Sequence, residues 1–162
     1  MSFEKIIWDV PHFSLSEMTK TENRNFIEEN KNITQEQADK LSLICTTLLL
    51  PIRNRWGAIT VLSAYRCSGL NTAVGSSDKS QHLLCEAVDF EVVGRTRGKP
   101  LYEVFDWVRK ESRLHFGQLI WELSEWIHIS LGEPYRPKSK CMQILDYKKD
   151  EKGKGYYEWL GK

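Results

Sequence analysis

Ser80-Gln81-His82-Leu83-Leu84-Cys85-Glu86-Ala87-Val88-Asp89-Phe90 changes character halfway along. Its first residues close a polar segment that begins at Gly75-Ser76-Ser77-Asp78-Lys79. Its last four are apolar and β-favouring except for Asp89. A carboxylate set among apolar neighbours on a strand is costly unless something pairs with it, and a metal ion is one such partner. Imidazole and carboxylate are both zinc ligands, so His82 and Asp89 are candidates. A third is His128 in Trp126-Ile127-His128-Ile129-Ser130, where a polar group again interrupts a strand-like run. Each residue alone is more often a packed, hydrogen-bonded side chain than a metal ligand. The set lacks a close-spaced ligand signature such as His-Glu-x-x-His, so the pattern by itself leaves both readings open.

Outward from this stretch, the spacing predicts a helix-and-strand domain. Ser14-Leu15-Ser16-Glu17 and Thr34-Gln35-Glu36-Gln37 both fit a capping box at a helix start. After the second, Ala38, Leu41, Cys45, Leu48 and Ile52 form one apolar stripe. Pro51 should kink or break that helix, and Gly57 should end it. Residues 19–33 read as a polar surface loop. Strands are expected over 58–65, 86–93, 116–122 and 126–131, with a turn at Leu123-Ser124-Glu125 and a short edge strand over 141–145. A helix over 101–112 buries Leu101, Val104, Phe105 and Val108. The basic loop 94–100 (Arg95, Arg97, Lys99) is either a solvated loop or an anion site. Strands adjoin strands as often as helices, which predicts an α+β class with a mainly antiparallel sheet of about four to five strands. The tail 146–162 is charged, and its aromatics (Tyr156, Tyr157, Trp159) are expected to dock on the domain or to meet a partner.

At 162 residues the chain makes one domain, 1–162, with its core in 12–145. A net charge of +1 gives no electrostatic case for nucleic acid as a partner. No apolar run reaches the roughly 20 residues of a membrane span, so no membrane insertion is expected. Met1-Ser2-Phe3-Glu4-Lys5 lacks the pattern of a signal peptide. Synthesis in a cytoplasm is therefore expected, as a monomer. Cys45, Cys67, Cys85 and Cys141 are not in Cys-x-x-Cys spacing, which argues against a four-thiolate zinc site.

Several motifs occur together in order: Ser63-Ala64-Tyr65-Arg66, Leu70-Asn71, Ala73-Val74-Gly75, Ser80-Gln81-His82, Ala87-Val88-Asp89 and Trp126-Ile127-His128-Ile129-Ser130. This arrangement resembles the zinc D-alanyl-D-alanine carboxypeptidase family, which includes van-type dipeptidases and phage endolysins that cut L-alanyl-D-glutamate bonds. Phe13-Ser14-Leu15-Ser16-Glu17-Met18 and Phe116-Gly117-Gln118-Leu119-Ile120 are similar to its short phage and prophage branch. The likeness covers roughly residues 12–145 and implies a DD-peptidase/hedgehog-like single domain.

The resemblance implies one zinc per chain held by His82, Asp89 and His128, with Arg66 facing the substrate carbonyl. It makes Ser80 a support for the ligand loop or a substrate contact. Glu125, three residues before His128, is the preferred catalytic base, and Glu122 is the alternative. The implied activity is hydrolysis of peptidoglycan stem peptides, the wall being reached through lysis, a holin or a virion. Cys85 departs from the pattern, standing where the family usually has Gly. If that position needs a positive φ, a Cys there is strained. The competing reading is a non-catalytic wall-binding or phage structural module on the same fold. His12 and His115 have no role from spacing and are expected at the surface.

Overall fold

The structure, a computed structural model, describes residues 5–161. The N-terminal stretch read against a signal peptide therefore lies almost wholly outside the described residues.

The chain enters through α1 (Leu15–Thr19), where Ser14 and Glu17 complete the expected capping box: Ser14 Oγ accepts from Glu17 N at 3.2 Å, and Ser14 N donates to the Glu17 carboxylate at 2.7 Å. The segment 19–33 is a correction to the expected loop. It holds a 3₁₀ turn and the short helix α2 (Ile27–Lys31). Its Asn30 is fully buried. The Asn30 amide donates to Thr19 O at 2.7 Å and Tyr65 O at 3.1 Å, and accepts from Cys67 N at 2.7 Å. One side chain thus ties the end of α1 to the segment that follows the first strand. Asn30→Ala would leave three buried backbone groups without partners, and a loss of about 2–3 kcal/mol is expected in denaturant unfolding.

The stripe beginning at Thr34 forms α3 (Gln35–Ile44) and α4 (Leu50–Trp56), joined by one π turn over Cys45–Leu49. Pro51 does not break the run: it falls in the first turn of α4, directly after the π turn. Proline lacks an N–H and clashes with the carbonyl four residues back. The wider turn absorbs that clash, with Leu50 N bonding to Cys45 O and the Thr47 hydroxyl donating to Leu43 O at 2.6 Å. Gly57, at φ 100°, ends the helix as expected.

The strands are β1 (Ile59–Ser63), β2 (Ala87–Val92), β3 (Gln118–Glu122), β4 (Trp126–Ser130), β5 (Gln143–Lys149) and β6 (Gly155–Gly161). Helix α5 (Ser68–Ala73) follows β1, and α6 (Gly98–Lys110) follows β2. They make one six-stranded sheet in the order β1-β2-β4-β3-β5-β6. The expected count of four to five strands is therefore corrected to six. The sheet is also mixed, because β3 and β5 pair in parallel while every other pairing is antiparallel. Nor is the segment after Cys141 a short edge: β5 is an interior strand, and the edge is β6, drawn from the charged tail. The Asp150 carboxylate accepts from Lys152 N and Lys154 N and turns the chain back between them.

Alternation along the central strands separates two faces. Val88, Phe90, Leu119, Trp121, Ile127 and Ile129 point to one side and are buried against α3, α4 and α6 with Leu41, Ile44, Leu101 and Phe105. The other side carries Asp89 on β2, Glu122 on β3 and His128 on β4. The apolar layer behind the sheet holds this second face in register, and the chemistry-bearing residues gather there.

Candidate metal centre

Asp89 and His128 are direct cross-strand partners on β2 and β4. His82 comes from a 3₁₀ turn, Gln81–Leu84, that precedes β2. Ser80 caps this turn, its hydroxyl accepting from His82 N at 3.3 Å. To pass from that turn into β2 the chain needs a left-handed residue, and Cys85 takes φ 57°, ψ 33°. The position is therefore one where glycine would be unstrained. The thiol is fully buried and burial pushes it up to about 12, so it stays protonated and is not part of the ligand cluster.

His82, Asp89 and His128 are all buried, and their ligand atoms lie within 4.8 Å of one another. His82 Nε2 is 3.3 Å from Asp89 Oδ2, and His128 Nδ1 is 2.8 Å from Asp89 Oδ1. The remaining ring nitrogens are also engaged. His82 Nδ1 is 2.6 Å from Ala64 O, and His128 Nε2 is 3.1 Å from Gln81 Oε1. Every ring nitrogen of the pair therefore faces an oxygen. A neutral imidazole has only one N–H, so neither ring can satisfy both of its neighbours. With N–H on the outer nitrogens, three lone-pair donors converge on one point: His82 Nε2, the Asp89 carboxylate and His128 Nδ1. A divalent cation between them resolves the conflict without burying two imidazolium charges. Zinc bonds of about 2.0–2.2 Å in a tetrahedron put ligand atoms roughly 3.3–3.5 Å apart, close to the spacing seen. The residues present fit the ion. Burial opposes ionisation of Asp89, but the charge and hydrogen bonds of His82 and His128 outweigh it and hold the carboxyl well below the usual carboxylate range.

Gln81 was legible only as part of a motif, with no role attached. Its Nε2 donates to Ser130 Oγ at 2.9 Å, and that hydroxyl also accepts from Gln118 N at 2.8 Å. The amide is thereby fixed with its oxygen toward His128, which selects the tautomer that leaves Nδ1 free for a metal. Gln81→Leu should keep the fold and weaken zinc binding by about 10–100-fold in chelator competition.

The cluster opens into a cleft of about 690 Å³ between the 74–81 loop and the sheet. Arg66, Ser80, Glu122, Trp126, Arg136, Tyr147 and Tyr157 also line it. Arg66 is held by two partners, donating through Nε to Ser63 Oγ at 2.9 Å and through Nη2 to Asp89 Oδ2 at 3.0 Å. The two candidate acids are separated. Glu125 is exposed in the β3–β4 turn, where its N–H bonds to Glu122 O, and it does not line the cleft. Glu122 pairs with Trp126 on the face that carries His128. Burial pushes its carboxyl up to about 7; Asp89 adds to the shift, while His128 and Arg66 oppose it. His12 and His115 are exposed and outside the cluster. Arg95, one of the basic-loop residues, pairs with Glu103 at 2.9 Å and lies over Trp56, a structural use of its charge. The aromatics of the tail stay half-exposed on β6, and of these Tyr157 reaches the cleft.

A model of the peptidase M15 family matches residues 11–130, a span that contains every residue of the cluster. The chain belongs to the peptidase M15 family. Members of this family are metallopeptidases, which agrees with a buried His-Asp-His group able to hold a metal. No curated protein matches the chain. The matched span of this M15 peptidase ends with β4, so β5, β6 and the segment around Arg136 lie beyond it. Among the described residues no helix is long and apolar enough to cross a membrane.

Proposed function

We propose that this M15 peptidase is a zinc-dependent hydrolase of peptide bonds in the stem peptides of bacterial peptidoglycan, binding one zinc per chain. The observation that carries the reading is the convergence of His82 Nε2, the Asp89 carboxylate and His128 Nδ1, whose outer partners leave all three lone pairs facing inward.

Zinc, when bound there, lowers the pKa of water and polarises the scissile carbonyl. The chain's own residues do the rest. Glu122, in the cleft and with an affinity for protons near neutrality, is suited to take a proton from the attacking water and pass it to the leaving amine. Glu125, the base favoured by spacing, would have to leave its turn to do so. Arg66 is fixed by Ser63 and Asp89 and offers a charge to the oxygen on which negative charge develops. Ser80 serves by capping the turn that carries His82.

The test uses zinc-loaded protein and purified peptidoglycan. New amino groups should appear with time and should stop appearing when a chelator is added. If no amino groups form, while His128→Ala still binds the wall as the unaltered protein does, the chain is a binding module.

A further inference from the structure

We propose that β5 and β6 carry a sugar-binding platform, on which Tyr147, Tyr157 and Trp159 hold the glycan strand that bears the stem peptide. The surface is a feature of the fold, and the identity of its occupant rests on the peptidoglycan reading above.

Strand register builds the platform. Two cross-strand rows run on one face from the cluster to the sheet edge. One is His128, Ile120, Leu145 and Trp159, and beside it lie Trp126, Glu122, Tyr147 and Tyr157. The face that carries the candidate metal ligands therefore continues without a break to the aromatic rings of the edge. Tyr147 and Tyr157 already border the cleft. Their ring centroids are 4.8 Å apart, with the planes inclined at 43°. A Cβ on Gly155 would collide with the Tyr147 ring, so the glycine lets that ring lie across β6. Both strands follow residue 130, where the family match ends, so the platform is a feature this chain adds to the matched part.

Exposure and charge decide what the platform fits. Tyr157 is 57% exposed and Trp159 52%. Two large rings on one face of an edge strand present apolar area that the fold itself does not use. The charges of the two strands are kept off this face. Asp146, Lys148 and Glu158 alternate to the opposite side, where Lys148 pairs with both acids. Among the described residues of β5 and β6, Lys149 at the turn is the one charge on the cleft side. An anionic phosphate polymer finds little there to hold it. A pyranose ring suits the surface better. It is neutral, and its C–H bonds carry partial positive charge to the negative face of an aromatic ring, while the hydroxyl and acetamido groups at its rim stay in water.

The distance suits the same partner. Trp159 stands three strand spacings from His128, about 14 Å. An extended peptide covers that span in about four residues. A wall stem is about that long and joins its sugar through its first residue. With the stem in the cleft, the glycan strand falls on β5 and β6.

The experiment titrates the zinc-loaded protein with a tetramer of N-acetylglucosamine, a stem pentapeptide, and the same pentapeptide on its disaccharide, following amide and indole chemical shifts. For a peptide that is cut, kcat/KM takes the place of affinity. The tetramer should bind and shift the Trp159 indole signal, and the disaccharide should improve recognition of the pentapeptide about 10-fold. Trp159→Ala should weaken the tetramer by the same factor and erase the gain from the disaccharide, and Trp159→Phe should keep part of both. Tyr156→Ala removes a similarly exposed ring from the opposite face of β6 and should behave as the unaltered protein does. Thermal unfolding of each variant shows which are folded, and Trp159→Phe decides the matter if Trp159→Ala is not. The proposal is overturned if the tetramer does not bind, if Tyr156→Ala loses as much as the Trp159 variants, or if those variants weaken the bare and the sugar-bearing pentapeptide alike. A chain that binds the tetramer through Trp159 and cuts neither peptide keeps the platform and loses the peptidase reading.

Discussion

Replacing Glu122 by glutamine is expected to leave zinc content and fold intact and to lower hydrolysis by about 10³-fold, within the range a positioned general base contributes. The amide keeps the shape and some hydrogen bonding of the acid but cannot take a proton. Glu125→Gln, on an exposed turn, should change the rate by no more than about twofold. The pair of variants separates the two acids because only one of them borders the cleft. A pH profile adds a second readout. The base must be ionised, so kcat/KM should rise with pH through a midpoint at or below about 7, a bound dication drawing it lower. In the metal-free protein the same carboxyl affects stability. Its folded-state affinity for the proton exceeds the ordinary value of 4.5, so its contribution is fully present below that value and is lost as pH rises towards about 7. Glu122→Gln should flatten that part of the stability curve. An unchanged rate for Glu122→Gln, with loss in Glu125→Gln, would require the turn to rearrange on substrate binding.

Asp89→Asn is expected to abolish retention of zinc. This carboxylate is the hub of the cluster: one oxygen meets His128, and the other meets His82 and Arg66. An asparagine presents a neutral oxygen on one side and an N–H on the other, so it can neither balance a dication nor accept from all three partners. Metal analysis after dialysis should find close to one zinc per chain in the unaltered protein and none in the variant, with activity lost in parallel. In the metal-free unaltered protein, the depressed carboxyl of Asp89 contributes stability above the ordinary carboxylate range, and that contribution is lost as pH falls through and below it. Asp89→Asn should lack this acid-side dependence.

The three residues of the buried cluster that could hold a metal were legible because each breaks a rule. His82 ends a polar loop, while Asp89 and His128 interrupt apolar strands, and a polar group in such a place has to be accounted for. Which of the two acids borders the cleft was not legible from spacing, because Glu-x-x-His counts along the chain whereas the cleft is built across strands. The hairpin supplies the missing step. Leu123 and Ser124 take positive φ and reverse the chain, so alternation carried back from His128 through Trp126 reaches Glu122 and skips Glu125. The helix through Pro51 was legible as a stripe, but not the π turn that accommodates the proline. Strands β5 and β6 left weak traces. The first is recruited by a parallel pairing with β3, which no local pattern encodes, and the second lies in a charged, glycine-containing tail. Asn30 was hidden for a related reason, since a polar residue in a polar segment reads as solvated until its three backbone partners are seen together.

Diffraction from crystals of the zinc-loaded protein, recorded on both sides of the zinc absorption edge, tests the central claim most directly. The account predicts one anomalous peak per chain, within bonding distance of His82 Nε2, an Asp89 oxygen and His128 Nδ1, with Gln81 still accepting from His128 Nε2. A peak elsewhere, or an ion bound through His128 Nε2 with the Gln81 contact broken, would contradict it.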